Sequence, residues 1–216
     1  MPARFSPHLD ILPAPQRRLW GELAELPADF VLYGGTAIAL HLGHRQSVDF
    51  DFFGRHALDP TRLLLDLAFL AGATITQREP STLGCIVDRG GPVRLSFFGL
   101  PKLPRLRPPL VARDNGLQIA SLLDLSGTKA SVVQLRAEAK DYIDIDALLA
   151  DGRIDLPTAL ASAGALYGPL FSPQITLKAL SYFEDGNTAT LPDALKRRLA
   201  SAAAAVDLDR LPEIGV

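Results

Sequence analysis

The sequence predicts an α/β (α+β) fold: a mixed sheet of about five strands with helices packed on it, followed by a helical C-terminal part. Three observations predict it. Short apolar or alternating runs at 30–33, 47–53, 73–78, 82–88 and 93–98 carry strand patterning. Leucines at helical spacing lie between the first three of these runs. Beyond residue 120 the strand signals stop, and only helical segments follow, separated by Gly- and Pro-bearing breaks.

In chain order, Pro13 and Pro15 precede a helix over about 16–26, with Leu19, Leu23 and Leu26 on one face and Pro27 as its stop. Strand 30–33 reads as buried. Gly34-Gly35 follows, and Thr36 can cap a short helix over 37–42. Strand 47–53 comes next. Asp59-Pro60 opens another helix with Leu63, Leu64, Leu67 and Leu70 as its stripe. Of the three extended runs that follow, the last two are joined by Arg89-Gly90-Gly91-Pro92, a hairpin turn. A proline-rich segment leads to helices expected at 121–137, 140–150, 156–166, 173–183 and 192–204. The expected division is 1–100 for the α/β core, 101–120 for a proline-rich connector and 121–216 for the helical part.

Composition narrows the class. The chain has 216 residues, 48% hydrophobic and 21% charged, with a net charge of -2. That charge advertises no global attraction to nucleic acid. Lys102, Arg105, Arg107 and Arg113 form a local basic strip, read either as a phosphate-contacting segment or as a solvated connector stiffened by its prolines. No apolar run reaches membrane-spanning length, and the N-terminus lacks the apolar core of a signal peptide, so a cytoplasmic location is expected. The single cysteine, Cys85, excludes an internal disulfide and a cysteine-based zinc site. It lies in an apolar strand and is expected to be inert packing.

The chemistry concentrates in Tyr33-Gly34-Gly35-Thr36 and His44-Arg45-Gln46-Ser47-Val48-Asp49-Phe50-Asp51-Phe52-Phe53. Strand side chains alternate, so Asp49 and Asp51 share one face and Val48, Phe50 and Phe52 the other. Two adjacent carboxylates suit Mg²⁺ or Mn²⁺. Glycines without a Cβ let a phosphate approach the backbone, and the following helix directs its first amides at an anion. Ser47 has the parity of the aspartates and can hydrogen-bond a carboxylate. Arg45 either reaches a phosphate or pairs with one of the aspartates. Downstream, Lys129 and Arg136 are seven residues apart and would share one helical face, either as solvated cations or as substrate contacts. Asp141 and Asp144 share a face of the next helix.

These two stretches resemble the AbiEii-type nucleotidyltransferases, a toxin family with the MenT toxins among its relatives and a polymerase-β-like core. The first match is Gly34-Gly35-Thr36-Ala37 with His44-Arg45-x-Ser47-x-Asp49-x-Asp51-Phe52-Phe53. The second is Lys129-Ala130, Arg136 and Lys140-Asp141-Tyr142-Ile143-Asp144-Ile145. The resemblance implies a Mg²⁺-dependent (or Mn²⁺-dependent) transfer of a nucleotidyl group from an NTP to an acceptor, tRNA or a small molecule, and a cognate antitoxin as partner. It implies Asp49, Asp51, Lys129 and Asp144 as catalytic residues, with Asp49 and Asp51 holding the metal. Gly34, Gly35, Thr36, Arg45, Ser47, Arg136 and Asp141 are then the nucleotide-binding set, and the helical part completes the site. For Asp144, pairing with Lys129 and binding substrate both stand.

One departure matters. A third carboxylate is expected on a later core strand, yet 92–98 offers Arg94 and Ser96. Either Asp144 replaces it as general base, or the substrate supplies its own, or catalysis is impaired. An impaired nucleotide- or partner-binding module and a small-molecule nucleotidyltransferase are therefore the alternative readings.

Overall fold

The aromatic run Phe50-Asp51-Phe52 sets the centre of the sheet, because its period-two pattern can satisfy one buried face and one open face at once. The computed structural model describes residues 3–215; residues 1, 2 and 216 of the expected divisions lie outside the described residues. The chain divides into a sheet unit, Met1–Leu103 with Pro108–Ala120, and a helical unit, Pro104–Arg107 with Ser121–Val216.

The sheet unit contains β1 (Arg4–Phe5), α1 (Ala14–Trp20), β2 (Val31–Tyr33), α2 (Gly34–Leu42), β3 (Asp49–Gly54), α3 (Pro60–Asp66), β4 (Thr74–Glu79), β5 (Thr82–Asp88), β6 (Pro92–Gly99), β7 (Leu110–Ala112) and β8 (Gln118–Ile119). The sheet is mixed, in the order β1-β7-β8-β2-β3-β6-β5-β4. The central strand β3 runs antiparallel to β2 and parallel to β6. Its buried face is an aromatic stack: Phe52 lies 5.2 Å from Phe97 and 6.4 Å from Phe50, ring centre to ring centre. Such pairs add specific attraction to the burial of large apolar area. Cys85 joins this core, fully buried, and burial pushes its thiol up to about 11, which keeps it protonated and unreactive.

The five expected strands are all present, and three more extend the sheet. β7 and β8 come from the segment expected to be a connector. The division there is different: 101–103 and 108–120 go with the sheet unit and 104–107 with the helical unit. The basic strip divides with it, Lys102 and Arg113 in one unit, Arg105 and Arg107 in the other. Val48 also differs from expectation. The strand starts only at Asp49, and Val48 is 47% exposed. The expected helix over 16–26 breaks at Gly21, after which a tighter helical turn covers Glu22–Glu25. The hairpin forms as expected: Asp88 Oδ1 accepts from the amides of Gly90 and Gly91 at 2.7 and 2.9 Å, and these bonds hold its carboxyl below the ordinary value.

The helical unit contains α4 (Leu122–Val132), α5 (Ala139–Ala150), α6 (Leu156–Tyr167), α7 (Pro173–Ala179) and α8 (Asp193–Ala204). Its core gathers Val133, Tyr142, Ile145, Leu160, Leu180 and Leu199. Gly127 lets α4 and α6 pack closely, since a Cβ there would lie 2.9 Å from the backbone of Ser162 and Ala163. Ser121 caps α4, accepting from the Asp124 amide at 3.1 Å and donating to Asp124 Oδ2 at 2.5 Å. Asp124 is buried and also accepts from the amides of Leu106 and Arg107, which fastens 104–107 to the start of α4.

Candidate active site

Asp49 and Asp51 open β3 on the same face, both half-buried, while Phe50 and Phe52 between and beside them are fully buried. The strand alternation thus delivers the expected carboxylate pair. On one side Tyr33 is in register with Asp51; on the other Arg94 is in register with Asp49 and Ser96 with Asp51. The neighbouring strand therefore presents a cation and a hydroxyl alongside the pair, where a third carboxylate was sought.

Gly34 explains why the turn must be glycine. Its φ is +72°, in the left-handed region, and an added Cβ would sit 2.7 Å from Asp51 Oδ2. The backbone of the Gly-Gly turn is thus pressed against the carboxylate itself. Gly34→Ala should destabilise the fold by about 1–2 kcal/mol from backbone strain alone. It should also displace Asp51, so activity should fall further than stability. Thermal unfolding and turnover of the same preparation separate the two effects.

Thr36 and Ser47 take a different place from the one expected. α2 starts at Gly34, Tyr33 occupies the N-cap position, and no side chain caps the helix. Thr36 lies inside the first turn, 2% exposed, and donates to the backbone carbonyl of Asp49. Its single proton being used there, the Ser47 hydroxyl donates to Thr36 Oγ1 at 2.7 Å. The pair ties α2 to the start of β3 and so fixes where Asp49 leaves the backbone. Arg45 is half-buried and donates through Nη1 to the carbonyl of Gln46 at 2.9 Å.

The second group of predicted residues lies in the helical unit and forms one buried cluster. Lys129 Nζ is 2.8 Å from Asp141 Oδ1 and 3.0 Å from Asp144 Oδ2, with both carboxylates fully buried. Arg136 grips Asp141 with two bonds, Nε to Oδ2 at 2.8 Å and Nη2 to Oδ1 at 3.1 Å. Burial raises the Asp141 carboxyl, but the Arg136 hydrogen bonds and the Lys129 charge outweigh it and hold the group below the usual carboxylate range. Asp141 and Asp144 share a helix face as expected. Lys129 and Arg136 do not: α4 ends at Val132, and Arg136 reaches Asp141 from the loop before α5. Asp146, expected at the surface, is largely covered and pairs with Arg198 at 2.6 Å.

The donor set of β3 fits a hard divalent cation. Two carboxylates on one face of a rigid strand match the way Mg²⁺ is held by one or two protein oxygens, with substrate phosphates and water completing its shell. Among the described residues no group of three or more His, Cys, Asp and Glu side chains is placed to hold a metal. No helix among them is long and apolar enough to cross a membrane.

A mixed sheet carrying two aspartates on its central strand, with a Gly-Gly turn against one of them, defines a nucleotidyltransferase core. The profile of the family described as nucleotidyl transferase AbiEii toxin, type IV TA system, matches residues 18–212, and the chain belongs to that family of enzymes. The chain is 31% identical over 168 residues to the uncharacterized protein aq_aa25 of Aquifex aeolicus (strain VF5), covering 76% of this chain and 79% of that one. Among solved structures it is similar to the nucleotidyltransferase toxin MenT4 of Mycobacterium tuberculosis H37Rv, with a TM-score of 0.59, 14% identity, and coverage of 88% of this chain and 83% of that one. A candidate nucleotidyltransferase from H. pylori gives a TM-score of 0.56 at 17% identity, covering 87% and 91%. At these identities the two structures support the fold.

Proposed function

We propose that this nucleotidyltransferase is metal-dependent, with Asp49 and Asp51 as the metal-holding pair, and that it transfers a nucleotidyl group from an NTP to a hydroxyl of tRNA. The observation that carries the reading is the placement of Gly34 against Asp51. One short stretch offers a close-approach backbone for phosphate and a carboxylate pair for the cation that accompanies it. A divalent cation bound there would supply Lewis-acid activation of the α-phosphate and charge neutralisation on departing pyrophosphate. Gly34, Gly35 and the first amides of α2 would bind the triphosphate at the Asp51 end. Thr36 and Ser47 would position Asp49 from behind. Lys129, Arg136, Asp141 and Asp144 would act by organising α4, α5 and the loop between them, since their charges are already balanced within the cluster. A cytoplasmic toxin countered by a cognate antitoxin follows from the family.

The register of Arg94 and Ser96 with the aspartates favours one competing reading, a binding module that has lost catalysis. Incubation with each α-labelled NTP, Mg²⁺ and total tRNA decides between them. Label should enter tRNA from one or more NTPs and should not enter when the metal is chelated. Mg²⁺-dependent NTP binding without incorporation into tRNA or into small acceptors would favour the impaired module.

A further inference from the structure

Arg94 stands out on the sheet face that carries Asp49 and Asp51. It occupies β6 directly alongside Asp49, and adjacent strands lie only about 4.8 Å apart. Its side chain has the parity of the aspartates, while Val93 and Leu95 on either side are buried in the core. The guanidinium is exposed and makes no hydrogen bond or ion pair to another described residue. Exposed arginines elsewhere on this chain close onto carboxylates, as Arg62 does with Asp66 and Arg198 with Asp146. Arg94 also lines a depression of about 270 Å³ shared with Gln16, Val48, Asp49, Ile86 and Pro92. Gln16 is 4% exposed there. Its Nε2 donates to the Val48 carbonyl at 3.1 Å, which fixes the amide orientation, and its buried Oε1 accepts from no described residue. An unmet acceptor of this kind in a native fold calls for an explanation, and a ligand donor would be one.

The two ends of the aspartate pair are chemically different. At the Asp51 end the Gly34 backbone leaves room for phosphates. At the Asp49 end the depression carries a forked cation and a buried amide oxygen, and no acid. We propose that this depression is the acceptor subsite, and that Arg94 binds a phosphate of a phosphorylated acceptor whose hydroxyl is attacking. The reading rests on the proposed transfer reaction and adds the acceptor class: a phosphate-bearing molecule, not a neutral sugar or drug. A forked guanidinium suits two phosphate oxygens, and a charge-assisted pair of this type strengthens binding by about tenfold or more.

The test measures equilibrium binding of a fluorescently labelled single-stranded RNA octamer, and displacement of that probe by AMP and by adenosine. Wild type, Arg94→Ala and Arg94→Glu are compared, with Arg113→Ala as a control cation. Mg²⁺-dependent binding of the NTP is measured on the same proteins. The expected result is RNA binding that weakens with salt, falls about tenfold or more in Arg94→Ala and further in Arg94→Glu, and is unchanged in Arg113→Ala. NTP binding should stay within about twofold throughout. Displacement by AMP but not by adenosine assigns the recognition to a single phosphate, available to small phosphorylated acceptors too; displacement by neither assigns it to a polynucleotide. RNA binding unaffected by Arg94 substitution overturns the proposal, as does an equal loss of NTP affinity, which would make Arg94 a triphosphate ligand. Absence of metal-dependent NTP binding in wild type would instead overturn the transfer reaction beneath it. Arg94 is exposed, so its variants should fold, and their unfolding midpoints check this.

Discussion

Replacement of Asp49 by alanine should leave a folded protein that transfers almost nothing. Removal of a metal-holding carboxylate takes away charge stabilisation that develops in the transition state, and losses of about 100-fold to 1,000-fold in turnover accompany removal of single groups of that kind. Stability should respond little. The Asp49 side chain is half-buried and beside Asp51 on the same face, so its removal relieves like-charge repulsion and leaves no buried partner unpaired. The structural tether at this position uses the backbone carbonyl of Asp49, which Thr36 reaches and which alanine retains. Turnover and thermal midpoint, measured together, check the expectation. An Asp49→Ala protein with a midpoint lowered by many degrees would make Asp49 a structural residue.

Lys129→Met should behave in the opposite way. Its ammonium sits between two fully buried carboxylates, and loss of one partner from such a cluster costs about 3–5 kcal/mol because a buried charge is left uncompensated. For a chain of this size that corresponds to a fall of roughly 6–20 °C in the midpoint of the helical unit. Lys129→Met with Asp144→Asn should recover part of the loss, since the second change removes the stranded charge. A midpoint within a degree of wild type for Lys129→Met would instead give Lys129 a direct part in substrate binding. The same cluster predicts acid sensitivity. The Asp141 carboxyl is held below its unfolded-state value of about 3.9, so its stabilisation is complete above that pH and is lost as pH falls through the folded-state value. Equilibrium unfolding from pH 6 downward should therefore show a stability loss beginning below about pH 4 in wild type and a weaker pH response in Asp141→Asn.

The strand that carries the chemistry was legible because alternation is a short-range rule: Phe50 and Phe52 must be inside, so Asp49 and Asp51 face out. The hairpin at Gly90-Gly91 was legible for a similar reason, since Asp88 and two glycines encode the turn locally. β1, β7 and β8 were not legible. They span two or three residues each, too few for a period, and they exist because longer strands offer them an edge. Arg136 was placed on a helix that stops four residues earlier; the Lys129–Arg136 spacing suggested a shared face, whereas the two meet at Asp141 through the following helix. Ser121 and Asp124 form a capping pair whose Ser-x-x-Asp spacing was visible in the sequence and was passed over. Thr36 and Ser47 could not have been paired from sequence, because their contact depends on how α2 folds back beside the start of β3.

The central claim is that the aspartate pair of β3 binds the nucleotide through a divalent cation, and calorimetric titration of NTP with and without Mg²⁺ tests it most directly. Wild type should bind the NTP more tightly when Mg²⁺ is present, and Asp49→Asn should lose that gain while keeping the weak metal-free binding that the Gly34-Gly35 backbone provides. Equal metal-dependent affinity in wild type and Asp49→Asn would contradict the claim.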